Sequence, residues 1–149
     1  MKEFFYPGKV AVVGVSENPS NLARGIVAHL LVFGYQGKIY PVGPRGGKVF
    51  GLPILSQVED LPEPVDLAVI LTPARFVPPV VAACGEMGIS HVVVESGGFS
   101  ELGERGRALE NEIRSLLKQY GMRLVGPNGI GTINTVSYTH LTLPTILRV

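Results

Sequence analysis

The sequence predicts an α/β fold in a single domain, a Rossmann-like doubly wound parallel sheet. Three observations carry that prediction. Short, continuous apolar runs recur along the chain, amphipathic helical stripes lie between them, and each run is followed by a loop of Gly, Pro, Ser, Thr or Asn.

The runs are "KVAVVGV" (Lys9 to Val15), "KIYPV" (Lys38 to Val42), "VDLAVIL" (Val65 to Leu71) and "HVVVES" (His91 to Ser96), with a fifth, "MRLVG", starting at Met122. They lack the polar alternation of a half-exposed sheet, so each reads as a strand covered on both faces. Between the first two, Ile26, Val27, Leu30 and Leu31 fall on one helical face, and Gly34 is a natural stop. Val77, Val80, Val81, Cys84 and Met87 form a second stripe, with Pro78 tolerated in its first turn. Leu109, Ile113, Leu116, Leu117 and Tyr120 form a third, closed by Gly121. Right-handed crossovers between such strands build the doubly wound sheet.

In this architecture ligands bind beyond the carboxyl ends of the strands, so the informative segments are the loops there: "GVSENPSN", "VGPRGGK", "LTPARF", "ESGGFSE" and "GPNGIG". Small residues in all five let a ligand approach the backbone closely. The first loop breaks its strand at Gly14 and leads into a helix, a geometry that directs free N–H groups and the helix dipole at one point and suits a phosphate. It is not the dinucleotide fingerprint: the next glycine after Gly14 is Gly25, so G-x-G-x-x-G is absent. A dinucleotide fold also wants a carboxylate at the end of its second strand to accept from ribose hydroxyls. Val42, Gly43, Pro44 and Arg45 stand there instead. A guanidinium in place of a carboxylate suits a ribose that carries a phosphate, as in NADP or coenzyme A, and Lys48 is a second, weaker candidate.

Composition narrows the partners. A chain of 149 residues with 46% apolar residues, 19 Gly and 12 Pro is sized for one core with many turns. A formal net charge of +1 gives no reason to expect nucleic acid or an anionic membrane as partner. No apolar run reaches the roughly 18 residues of a membrane span, and "MKEFFYPGK" lacks the apolar centre of a signal peptide, so a cytoplasmic location is expected. The single Cys84 reads as a small buried residue on a helix face rather than a nucleophile. His29, His91 and His140 have no carboxylate-bearing loop context for activation, and with one Cys they do not make ligand spacing, so neither a catalytic residue nor a metal is expected. Glu110 and Glu112 belong to the solvated face of the third helix, where Glu110 can pair with Arg114.

The end of the chain changes character. "VSYTHLTLPTILRV", Val136 to Val149, has no Gly and no acidic residue, and its Val136 to Thr145 portion is similar to a translated sequencing-library transposase adapter. The domain is therefore expected over residues 1–135, with 136–149 set aside as a non-native tail.

With "VAVVGVS", "GKIYPVGPRGGKVFGLPI", "PVDLAVILTPA", "GGFSELGERG" and "GPNGIGTIN" occurring in order from about Phe4 to Asn134, the chain resembles the coenzyme A-binding domain of NDP-forming acyl-CoA synthetases. That family includes ADP-forming acetate–CoA ligases and the α subunit of succinyl-CoA synthetase. The resemblance implies that CoA is the ligand and that Gly14, Ser16, Glu17, Asn18 and Pro19 form its first loop. It further implies that Arg45, with Val42, Gly43 and Pro44, meets a CoA phosphate. Thr72, Pro73, Ala74 and Phe76 would border the adenine side, and Glu95, Ser96 and Gly97 the opposite wall.

The sequence departs from the family in one loop, where Gly129 stands in place of a common cysteine. The phosphohistidine that family members use lies in a later domain, so this module is expected to bind rather than catalyse, with the remaining ligase domains or subunit as its partner. A stand-alone CoA-binding protein and the front part of a protein lysine acetyltransferase share such a sequence. An NADP-binding oxidoreductase domain is the alternative of a different class, disfavoured by the missing fingerprint.

Overall fold

The computed structural model describes residues 2–129, so the expected tail, His140 included, lies outside the described residues. A short helix α1 (Lys2–Phe5) precedes strand β1 (Lys9–Val13), helix α2 (Leu22–Val32) and strand β2 (Lys38–Val42). A small hairpin follows, β3 (Lys48–Val49) and β4 (Leu52–Pro53), and then a 3₁₀ turn at Val58–Asp60. Strands β5 (Leu67–Ile70), β6 (His91–Val94) and β7 (Arg123–Val125) alternate with helices α3 (Val77–Glu86) and α4 (Glu104–Tyr120).

The five long strands pair in parallel in the order β2-β1-β5-β6-β7. The chain moves one way from β1 to β2 and then back across β1 to β5. The strand order therefore switches between β1 and β5, and a crevice opens at their carboxyl ends. Period-two alternation divides the core between two faces. Val10, Val12, Leu67, Val69 and Val93 pack with Phe4, Ala23, Ile26, Val27 and Leu30 on the α1 and α2 side. Ala11, Val13, Ala68, Ile70, Val92 and Val94 pack with Val58, Val77, Val81, Cys84 and Ile113 on the other.

Sequence reading extends three strands too far: β1 stops at Val13, β5 at Ile70 and β6 at Val94. Gly14, Leu71 and Glu95, the next residues, begin the loops. Alternation of strand and helix fails once, because the crossover from β2 to β5 holds the hairpin and a 3₁₀ turn in place of a helix. On α2 the buried stripe is Ala23, Ile26, Val27 and Leu30, and Leu31 faces solvent with 42% exposure. The third stripe packs as expected, with Ile113 buried and Leu109, Leu116, Leu117 and Tyr120 half-covered against the same core. Glu110 lies 3.8 Å from Arg114. Its other oxygen accepts from Ser100 N at 3.0 Å, tying α4 to the loop before it. Among the described residues no helix is long and apolar enough to cross a membrane.

Candidate functional site

The crevice at the switch point is built from loops that touch backbone to backbone. Gly14 holds φ +105°, and a Cβ there would stand 2.1 Å from the Leu71 carbonyl oxygen, so the loops after β1 and β5 meet only because this position has no side chain. Gly43 plays the same part between the loops after β2 and β1, where a Cβ would lie 1.8 Å from Val15 O. The Val42 carbonyl accepts from both Gly14 N and Val15 N at 2.9 Å. These contacts hold the first turn against the second strand.

Asn21 then fixes the entry to α2. Its Oδ1 accepts from Arg24 N at 2.7 Å and from Ser16 N at 3.3 Å, while its Nδ2 donates to Gly14 O at 3.0 Å. One amide side chain thus caps the helix and closes the loop that precedes it. Asn18 organises the remainder of the turn, accepting from Ser20 N and Ser20 Oγ at 3.0 and 2.8 Å. The first turn of α2 contains no acidic residue, which leaves its positive dipole end without a covalently attached counter-charge.

Two contiguous clefts open here. The first, of about 460 Å³, lies in front of α2 and is lined by Ser16, Asn18, Ser20, Asn21, Leu22, Ala23, Leu71, Thr72, Pro73, Ser96 and Gly97. The second, of about 700 Å³, runs from Gly14, Val42, Gly43, Pro44 and Arg45 past the 3₁₀ turn to Thr72, Pro73, Phe76 and the first turns of α3. Ser16, Asn21, Leu71, Thr72 and Pro73 line both, so one elongated ligand could occupy the pair.

Of the residues singled out in the sequence, Gly14, Ser16, Asn18, Val42, Gly43, Pro44, Arg45, Thr72, Pro73, Phe76, Ser96 and Gly97 line this double cleft. Glu17 instead turns its carboxylate to the backbone of the second loop, accepting from Lys48 N at 2.8 Å. Pro19 is exposed and Ala74 packs against the core, and neither lines a cleft. Glu95 lies at the end of β6 with its Oε1 buried and unpartnered, and burial pushes its carboxyl up to about 7. The Thr72 hydroxyl is likewise buried without a partner among the described residues, although Thr72 N donates to Ser96 Oγ at 3.1 Å.

Sequence reading missed Asn21, whose position just before an apolar helical stripe is a cap signature. It also missed Ser56, Gln57 and Glu59 on the second cleft, for which no sequence signal existed. Arg45 is exposed at the cleft wall and forms no ion pair among the described residues. Cys84 is buried and its thiol is pushed up to about 12, chiefly by burial, which leaves it unreactive at neutral pH. His91 is engaged with Ser90, Glu3 and Phe4 at the amino end of its strand, and His29 stacks on Phe33, so neither faces the crevice loops.

Relatives carry the same architecture. The chain is 40% identical over 139 residues to the α subunit of acetate–CoA ligase [ADP-forming] I of Pyrococcus furiosus, a match covering 91% of this chain and 30% of that one. It is 41% identical over 135 residues to acetate–CoA ligase [ADP-forming] II of Archaeoglobus fulgidus, covering 91% of this chain and 20% of that protein. The solved apo structure of a dinucleotide-forming acetyl-coenzyme A synthetase from Ca. Korarchaeum cryptofilum superposes with a TM-score of 0.82 at 39% identity, over 87% of this chain and 28% of that one. The chain thus spans less than a third of the length of these relatives. Residues 8–135 match the family described as CoA binding domain, and the chain belongs to that family.

Proposed function

We propose that this chain is the CoA-anchoring module of an NDP-forming acyl-CoA ligase whose intact form interconverts acyl-CoA, NDP and phosphate with acid, CoA and NTP. The observation that carries the reading is the double cleft itself. One end faces the acid-free amino terminus of α2 and the other carries the unpaired Arg45, with an apolar wall near Phe76 between loops that meet backbone to backbone. CoA has that distribution of groups: a diphosphate, a phosphorylated ribose and a flat base. In this reading Ser16, Asn18 and the first turn of α2 hold the diphosphate, and Arg45 holds the ribose phosphate. Thr72, Pro73 and Phe76 border the adenine, and Ser96 and Gly97 guide the pantetheine arm outward.

Binding of this kind positions a substrate without itself supplying chemistry. In this reading acyl and phosphoryl transfer fall to other ligase domains or a second subunit, with which this module works. The identity of the relatives as ADP-forming acetate–CoA ligases favours this reading over an NADP-dependent oxidoreductase.

Isothermal titration of the chain with CoA, dephospho-CoA, NADP and NAD, repeated on Arg45→Ala, tests it. CoA is expected to bind, dephospho-CoA to bind about tenfold more weakly, and the arginine variant to lose that difference. Binding of NADP without CoA would overturn the assignment.

A further inference from the structure

The second cleft has a feature the phosphate-binding argument does not use. Its walls near α3 are apolar, from Val58, Val80 and Phe76, yet the 3₁₀ turn at Val58–Asp60 places Glu59, an exposed residue, on the same cleft as Arg45. Glu59 makes no hydrogen bond or ion pair among the described residues. Its charge nevertheless reaches α3, because after burial it is what raises the Cys84 thiol. The neighbouring Gln57 amide is spoken for, donating to Asp60 Oδ1 at 3.3 Å. Among the described residues the cleft therefore sets a cation, Arg45, for an anionic group, and a carboxylate with no partner, Glu59, beside an apolar wall. Arg75 stacks on Phe76, with its guanidinium carbon 4.7 Å from the ring centroid, and so holds that ring at the cleft.

We infer that Glu59 selects the base of the bound nucleotide, accepting a hydrogen bond from an exocyclic amino group and so favouring adenine over a 6-oxo purine. The chemistry is one-sided. An ionised carboxylate has acceptors only, so an amino group at the purine 6 position satisfies it, whereas a carbonyl there sets lone pair against lone pair. The 6-oxo analogue moves its donor from the exocyclic position to ring N1, so a carboxylate that meets the 6 position faces lone pairs unless the base shifts. Arg45 fixes the orientation, since a phosphate held on the second loop directs the base of the same nucleoside toward the 3₁₀ turn and α3.

The inference rests on the CoA reading, and the test separates the two. The chain, Glu59→Gln and Glu59→Ala are each titrated with CoA and with its deaminated analogue, in which hypoxanthine replaces adenine. Each protein serves as its own reference, because the readout is the ratio of two affinities measured on one preparation. The unmodified chain is expected to prefer CoA by about tenfold. Glu59→Gln, which can turn an amide N–H toward the carbonyl, and Glu59→Ala, which has no acceptor, should both bring the ratio below about threefold. A ratio near one in the unmodified chain, or a preference that survives both substitutions, overturns the role of Glu59 and leaves the CoA reading standing. If the unmodified chain binds neither ligand, the CoA reading fails and this inference falls with it.

Discussion

Glu17 Oε1 accepts a hydrogen bond from Lys48 N at 2.8 Å across 31 residues of sequence, joining the loop after β1 to the loop after β2. The two loops carry opposite ends of the proposed nucleotide site, so this contact sets their spacing. Glu17→Ala should weaken CoA binding about fivefold, the effect of losing one hydrogen bond worth about 1 kcal/mol, and Glu17→Gln, which keeps an acceptor, should restore most of it. Faster amide exchange at Lys48 in the alanine variant is the matching structural readout. Unchanged exchange with unchanged affinity would mean that the loops are held apart from this contact.

The glycines of the crevice divide into required and spare, and melting temperatures distinguish them. Gly14→Ala forces a Cβ onto the Leu71 carbonyl at a backbone φ of +105°, and Gly43→Ala forces one onto Val15 O. Both atoms are backbone and cannot swing aside, so each substitution should destabilise the fold by about 2 kcal/mol or more. Gly25 sits inside α2 with no atom within 4 Å of its would-be Cβ, and Gly25→Ala should stabilise by about 0.5–1 kcal/mol. A neutral Gly14→Ala would show that the two loops do not meet as described.

Much of this was readable in the residues, for reasons that differ between elements. Strands such as Lys9–Val13 and Leu67–Ile70 are buried on both faces, and their unbroken apolar runs record that. Arg45 was found because a carboxylate was expected in its place. The β3–β4 hairpin was not legible: each strand has only two residues, and its turn seats Phe50 at φ +49°, where Asn or Gly would have signalled the turn. The place of the 3₁₀ turn on the cleft was equally hidden, since it arises where the β2-to-β5 crossover lacks a helix. Glu17 was assigned to the ligand, and its hydrogen bond to Lys48 N depends on a tertiary approach that no local pattern records.

At the opposite end of the sheet, Glu63 gathers Lys9 Nζ at 2.5 Å, Lys38 Nζ at 2.8 Å and Tyr40 OH at 2.7 Å. Hydrogen bonds from Lys38, Lys9 and Tyr40 hold its carboxyl down to about 2, below the ordinary value of 4.5. A depressed carboxylate contributes stability that is present above its unfolded pKa and is lost as pH falls through the folded one. Glu63→Gln should therefore lower the melting temperature at pH 7, and the gap should narrow from about pH 5 downward and close near pH 2. A gap independent of pH would assign the effect to packing rather than to charge.

Glu95 has the opposite sign. Burial raises its carboxyl from 4.5 to about 7, so the folded chain resists its ionisation. A group whose folded pKa is raised contributes stability that is full below the unfolded value and lost as pH rises through the folded one. The chain should lose stability between about pH 4.5 and 7 and change little above that on this account. Glu95→Gln keeps the shape and removes the titration, so it should melt higher than the parent at pH 8 and match it at pH 4. Part of the side chain reaches solvent, which screens the charge and makes the difference smaller than the full shift implies. Melting curves on the two proteins across pH 4 to 8 decide it. Parallel curves would mean that Glu95 finds a partner in solution, while convergence at low pH would show a carboxyl held neutral beside the crevice.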